Sequence, residues 1–180
     1  MEMLKKMVNW VVAKVKANLS LIAVLLGVAA FLMFFTPVAY LKGEEDTGTV
    51  TGILGADAAF GMKLEGEAML KFSFLNLLVF LLPLAGAVLL ALAVSNNNKL
   101  FSLISAGCFA LATICFFLVP SFLVYSEMFE EVMDMMEYKA VCGGSVIIGA
   151  LFNLAAAVCA YFSGAECEAV AAPVEEVVAE

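Results

Sequence analysis

The chain has 180 residues, of which 64% are apolar and 14% charged, with a mean hydropathy of +1.06 and a net charge of −8. Soluble domains average roughly 45–50% apolar and about 25% charged residues, so this composition excludes an ordinary water-soluble fold. The negative charge argues against nucleic acid as a partner. All nine basic residues are Lys, and the chain has no His. The commonest general base and metal ligand is therefore missing, together with the bidentate phosphate clamp of Arg.

The first eighteen residues, MEMLKKMVNWVVAKVKAN, divide at helical period. Leu4, Met7, Val8, Trp10, Val11 and Val15 share one face, and Glu2, Lys5, Lys6, Asn9 and Lys16 the other. This pattern predicts an amphipathic helix over 1–18 lying in the membrane interface, with Trp10 at headgroup level. A plain extension of the first span is the alternative.

A hydrocarbon core needs about 20 apolar residues of helix to cross it. Four charge-free stretches reach that length, at 19–41, 72–95, 100–125 and 140–163. A charge at the centre of any of them would cost roughly 2.5–3.5 kcal/mol on the insertion scale, and none carries one. The fold class predicted is an all-α membrane protein, a four-transmembrane-helix bundle over 19–163. Lys5, Lys6, Lys14 and Lys16 precede the first span. By the positive-inside rule they place both termini in the cytoplasm of a multi-pass cell-membrane protein, with loops 42–71 and 126–139 outside.

Outer loop 1 is rich in Gly, and Met62-Lys63-Leu64-Glu65 alternates with period two. A small twisted β-hairpin suits it, with an irregular flap as the alternative. Outer loop 2, SEMFEEVMDMMEYK, has a helical period. Glu127, Glu130, Glu131, Asp134 and Glu137 form an acidic face, and the methionines fill the remaining arc. An amphipathic surface helix follows, acidic above and methionine-rich below. No rigid loop supplies carbonyl ligands beside these acids, so a solvated face describes them better than a metal site. The stretch 164–180, rich in Ala, Val and Glu, is predicted to be a disordered acidic tail. The elements FFTP and FFLVP close spans one and three, a faint repeat that interfacial Pro and aromatics also explain.

FFTPVAY, TVTGILGADAAFG and FSFLNLLVFLLPLAG give residues 19–165 the look of small uncharacterised four-span bacterial membrane proteins. That resemblance implies the same architecture and carries no activity. The four-span plan with a β-rich first outer loop also resembles claudins in topology. Their hallmark tryptophan and paired cysteines have no counterpart in loop 42–71, since Trp10 is the sole Trp.

Within the spans, small or polar residues recur. Ser145, Gly149, Asn153 and Ala157 form a stripe in span four, Ser102, Ala106 and Ala110 in span three, and Ala23 and Gly27 in span one. Such stripes let helix backbones approach closely, which is how helices associate in lipid. The serines have no ionisable activator in sequence reach, and the spans hold no carboxylate of the kind ion-coupled carriers use. No catalytic residue, cofactor site or metal site is expected. The sequence thus predicts a non-catalytic protein acting by interaction in the bilayer, as an accessory subunit or envelope scaffold with a membrane-protein partner or as a homo-oligomer. A small oligomeric channel or transporter component is the alternative.

Overall fold

A computed structural model describes residues 18–42, 50–64 and 66–171. The interfacial-helix expectation for 1–18 lies outside these residues, save Asn18. Four helices are long and apolar enough to cross a bilayer, and the structure is mostly helical.

The first span covers Asn18–Phe35. Its α1, residues 18–32, closes in a 3-10 turn at Met33–Phe35. The helix stops six residues before the sequence boundary at 41, and the cause is local. Thr36 precedes Pro37, which disfavours helical backbone at the preceding residue, and Thr36 is extended at φ −114° and ψ 160°. The chain then continues as strand β1, Pro37–Lys42.

Beyond β1 come β2 (Val50–Leu54), a short α2 (Gly55–Phe60), β3 (Met62–Leu64) and β4 (Glu67–Leu70). β3 and β4 pair antiparallel across a tight turn where Gly66 takes φ +94°, a conformation suited to glycine. The second span is α3, Phe74–Ser95, and the third is α4, Lys99–Phe117. Between them Asn97 turns the chain at φ +48°, and the Asn98 side chain caps α4 by accepting the Leu100 N–H at 2.9 Å.

The third span also ends short of its sequence boundary at 125. A 3-10 turn at Val119–Phe122, with Pro120 inside it, diverts the chain. After it follow α5 (Glu127–Met135) and strand β5 (Lys139–Cys142). Last comes α6, Gly144–Ala171, whose apolar span is Gly144–Gly164. The helix thus runs on through 164–171, where the sequence suggested a disordered tail, because nothing there breaks a helix before Pro173. Residues 172–180 lie outside the described part.

The two long loops build one cap. β1 is the central strand of a three-stranded sheet ordered β2-β1-β5, so loop 1 pairs with the residues just ahead of span four. A second seam runs along β4. The Lys71 N–H donates to the Val124 carbonyl at 2.7 Å, and the Ser126 N–H donates to the Met69 carbonyl at 3.0 Å.

Below the cap, α4 packs against both α3 and α6, which scarcely meet each other. The buried positions include Asn76, Val79, Pro83, Gly86, Leu90 and Ala93 in α3, with Phe80 and Ala87 beside them, and are Ser102, Ser105, Phe109, Ala112 and Phe116 in α4. In α6 they include Val146, Gly149, Asn153, Ala156 and Ala160. Steps of three and four alternate in all three helices. That is the 3.5-residue spacing of helices crossing at about 20°. The outward positions, such as Leu25, Leu81, Ile114 and Leu151, are exposed apolar residues of the kind lipid covers.

Candidate functional site

The helix stripes meet aromatic rings. The fully buried Phe109 ring lies in a notch between α1 and α3. A Cβ on Gly27 would sit 2.7 Å from its Cε1, and one on Gly86 3.0 Å from the same atom. The Phe116 ring takes the corresponding place over Gly149 of α6, with the Met33 side chain beside it. Phe34, Phe80 and Phe116 then continue as edge-to-face pairs, with centroids 5.3 and 5.4 Å apart. The interior between the helices is filled by rings set into glycine notches.

Two serines of α4 tie the helices by hydrogen bonds. Ser102 Oγ donates to the Ala160 carbonyl of α6 at 2.7 Å, and Ser105 Oγ to the Gly86 carbonyl of α3 at 2.6 Å. Such bonds contribute about 0.6–2 kcal/mol each in membrane bundles. Ser145 Oγ donates to the Pro37 carbonyl and so fastens the start of α6 to β1.

The structure places the sequence-selected stripe residues unequally. Ala23, Gly27, Ser102, Gly149, Asn153 and Ala157 are buried, and Ser145 is half-buried. Ala106 is half-buried and Ala110 is exposed. A series with steps of four advances about 40° per step, because a helix turns about 100° per residue, so it drifts off the packing face. Ser105 and Ala112 lie on that face, off the four-residue series, and so do Phe109 and Phe116, which a search for small residues alone passes over.

Two asparagines are fully buried. The Asn76 Nδ2 donates to the Ala58 carbonyl at 3.2 Å, while its Oδ1 has no protein partner. Asn153 lies in the bundle with neither side-chain polar atom bonded to protein. An asparagine in a membrane span commonly bonds to a neighbouring helix, and Asn153 makes no such bond here.

The cap carries the charge. Glu127, Glu130, Glu131, Asp134 and Glu137 are all exposed. Lys71 lies 3.9 Å from Glu127, a surface pair worth little. Beneath α5 only Met133 is buried and Phe129 half-buried, whereas Met128, Met135 and Met136 are exposed. Met128 is exposed in the first turn, and at the other end the two-sided pattern breaks because α5 stops at Met135 and Glu137 turns left-handed at φ +53°.

Between α5, the Pro120 turn and the start of β5 lies a cleft of about 450 Å³. Tyr125, Tyr138 and Met133 give it aromatic and apolar walls, and Glu130, Asp134 and Lys139 bring charge to it. Burial pushes the Tyr125 phenol above its ordinary range, so it stays a neutral hydroxyl at physiological pH. The two tyrosines were missed in the sequence. They flank α5, and the cleft between them is completed by the Pro120 turn and the start of β5.

Among the described residues no three His, Cys, Asp or Glu side chains gather closely enough to hold a metal ion. No family model, no curated protein and no solved structure matches the chain.

Proposed function

We propose that this protein is a non-catalytic integral membrane protein that acts by interaction, as an accessory subunit or envelope scaffold. The observation that carries the reading is the cap. Both long loops are knitted into one sheet-bearing unit over the bundle, and of the five acidic side chains in 126–139 only Glu127 has an ion-pair partner among the described residues. A folded platform with a free charged face suits recognition. The helix stripes, by contrast, are occupied by Phe109 and Phe116, which leaves the cap as the surface for a partner.

In this reading the protein resides in the cell membrane with both termini in the cytoplasm and the cap outside, as the lysines before the first span imply. The leader 1–18 rests as an interfacial helix on the cytoplasmic leaflet. A membrane-impermeant thiol reagent tests the orientation on intact cells. With the exposed cap thiol Cys142 changed to Ser, it should label Met135→Cys in the cap and spare Asn96→Cys; the reverse pattern would invert the topology.

Photo-crosslinkers introduced at Glu131 and at the lipid-facing Leu151 test the interaction itself. A partner, or a second copy of the chain, trapped from Glu131 and identified by mass spectrometry is the expected result. Trapping from Leu151 alone would move the interface into the bilayer.

A second reading, a small oligomeric channel or transporter component, draws on one observation, the unbonded Asn153 amide within the bundle. Ion flux through the purified protein in liposomes, lost on Asn153→Leu, would favour it.

A further inference from the structure

We propose that the cap cleft binds an organic ammonium ion, its charge held between Glu130 and Asp134 and its apolar part against Tyr125, Tyr138 and Met133. The inference goes beyond partner recognition and stands without it. Size comes first: about 450 Å³ lies within the range of small-molecule sites, roughly 300–1,000 Å³.

The sign of the charge follows from the walls. Two carboxylates face one lysine, a net of −1 among the ionised groups lining the cleft. Glu130 and Asp134 lie one helical turn apart on the same face of α5, where like charges repel. Neither has an ion-pair partner among the described residues. Asp134 also stands in the last turn of α5, where the helix dipole disfavours an anion, and no basic residue occupies that turn. A bound cation relieves both strains at once.

The walls also select the kind of cation. A hard divalent ion needs six to eight oxygen ligands, which two carboxylates of one helix do not supply. Tyrosine rings and a buried methionine instead suit an ammonium ion with an apolar body, through cation–π attraction and burial. Three separate elements line the cleft, and the one at its β5 end is fixed by pairing with β1. The site is therefore formed before the ligand arrives, which lowers the ordering cost of binding.

The test uses the full chain in nanodiscs of zwitterionic lipid, with phenethylammonium as the probe and 2-phenylethanol as its uncharged counterpart. Ligand-observed NMR, referenced to empty nanodiscs, reads the binding. Phenethylammonium should saturate one site per chain, and the alcohol should not. Neutralising both acids with Glu130→Gln and Asp134→Asn should weaken binding at least about tenfold. Glu127→Gln with Glu131→Gln removes the same charge outside the cleft and should leave affinity nearly unchanged. Tyr138→Leu should weaken binding without altering the charge. Equal binding of the alcohol would overturn the proposal, as would unchanged affinity in the Glu130/Asp134 variant. Displacement of the probe by an equal concentration of calcium chloride would also overturn it, by reducing the site to an acidic surface.

Discussion

The Ser73 hydroxyl donates to the carbonyl of Phe122 at 2.7 Å and accepts the N–H of Asn76 at 3.3 Å. One side chain thus starts α3 and holds to it a loop 49 residues further along the chain. Removing it with Ser73→Ala takes away a helix cap and leaves the Phe122 carbonyl without its partner, a loss of about 1–3 kcal/mol. We expect a lower thermal midpoint in detergent for the alanine variant and near-wild-type behaviour for Ser73→Thr. An unchanged midpoint in Ser73→Ala would mean that this bond does not hold the cap.

Gly149 faces the Phe116 ring, and no side chain fits between them. Leu151, two residues on, is 58% exposed and turned outward. Gly149→Leu should therefore damage folding far more than Leu151→Ala, because overpacking a filled interior costs about 1–3 kcal/mol or more. Monodispersity and thermal midpoint in detergent read the difference. Equal stability of the two variants would show that this stripe packs against nothing rigid.

Much of the membrane domain is legible in the residues alone. Charge-free length locates four spans because hydrocarbon tolerates little else. The ends of spans one and three are less legible, since Val38–Leu41 and Val119–Val124 are as apolar as the helices before them. Their apolarity serves the floor of the cap, where Val38, Leu41 and Val119 are buried, and only Pro37 and Pro120 betray the change. The packing faces are half legible. Small residues mark Gly27 and Gly149, but their partners Phe109 and Phe116 look like any lipid-facing aromatic until the 3.5-residue spacing is followed. The cleft is not legible at all, because it forms only where the Pro120 turn and the start of β5 lie against α5.

Burial holds the Tyr125 phenol above its ordinary value of 10.0, so the folded state keeps this proton more tightly than the unfolded chain does. The sign is then settled. The contribution is fully present below pH 10.0 and is lost as the pH rises through the folded-state value. Wild-type protein should lose stability above that point more steeply than Tyr125→Phe, which has no proton to release. Chemical denaturation at pH 8 and at a series of alkaline values measures the two slopes; parallel slopes would remove Tyr125 from the account.

The methionines around α5 offer a direct readout of how the cap sits. Met133 is 7% exposed and packs into the core beneath the helix, whereas Met135 is 81% exposed. Sulfoxide formation needs access to the sulfur and makes the side chain polar, which a packed position resists. Mild peroxide should therefore oxidise Met135 first and Met133 last, followed by peptide mass spectrometry in detergent. Met128 and Met136, each 55% exposed, should fall between them. The same experiment in bilayers separates two placements of the cap. If Met128 and Met136 slow markedly against their rates in detergent, α5 lies along the lipid surface with its acids in water. If they do not, α5 stands clear of the lipid. Oxidation of Met133 as fast as Met135 in the folded protein would mean that α5 does not pack on the cap at all, and the cleft beneath it would go with that packing.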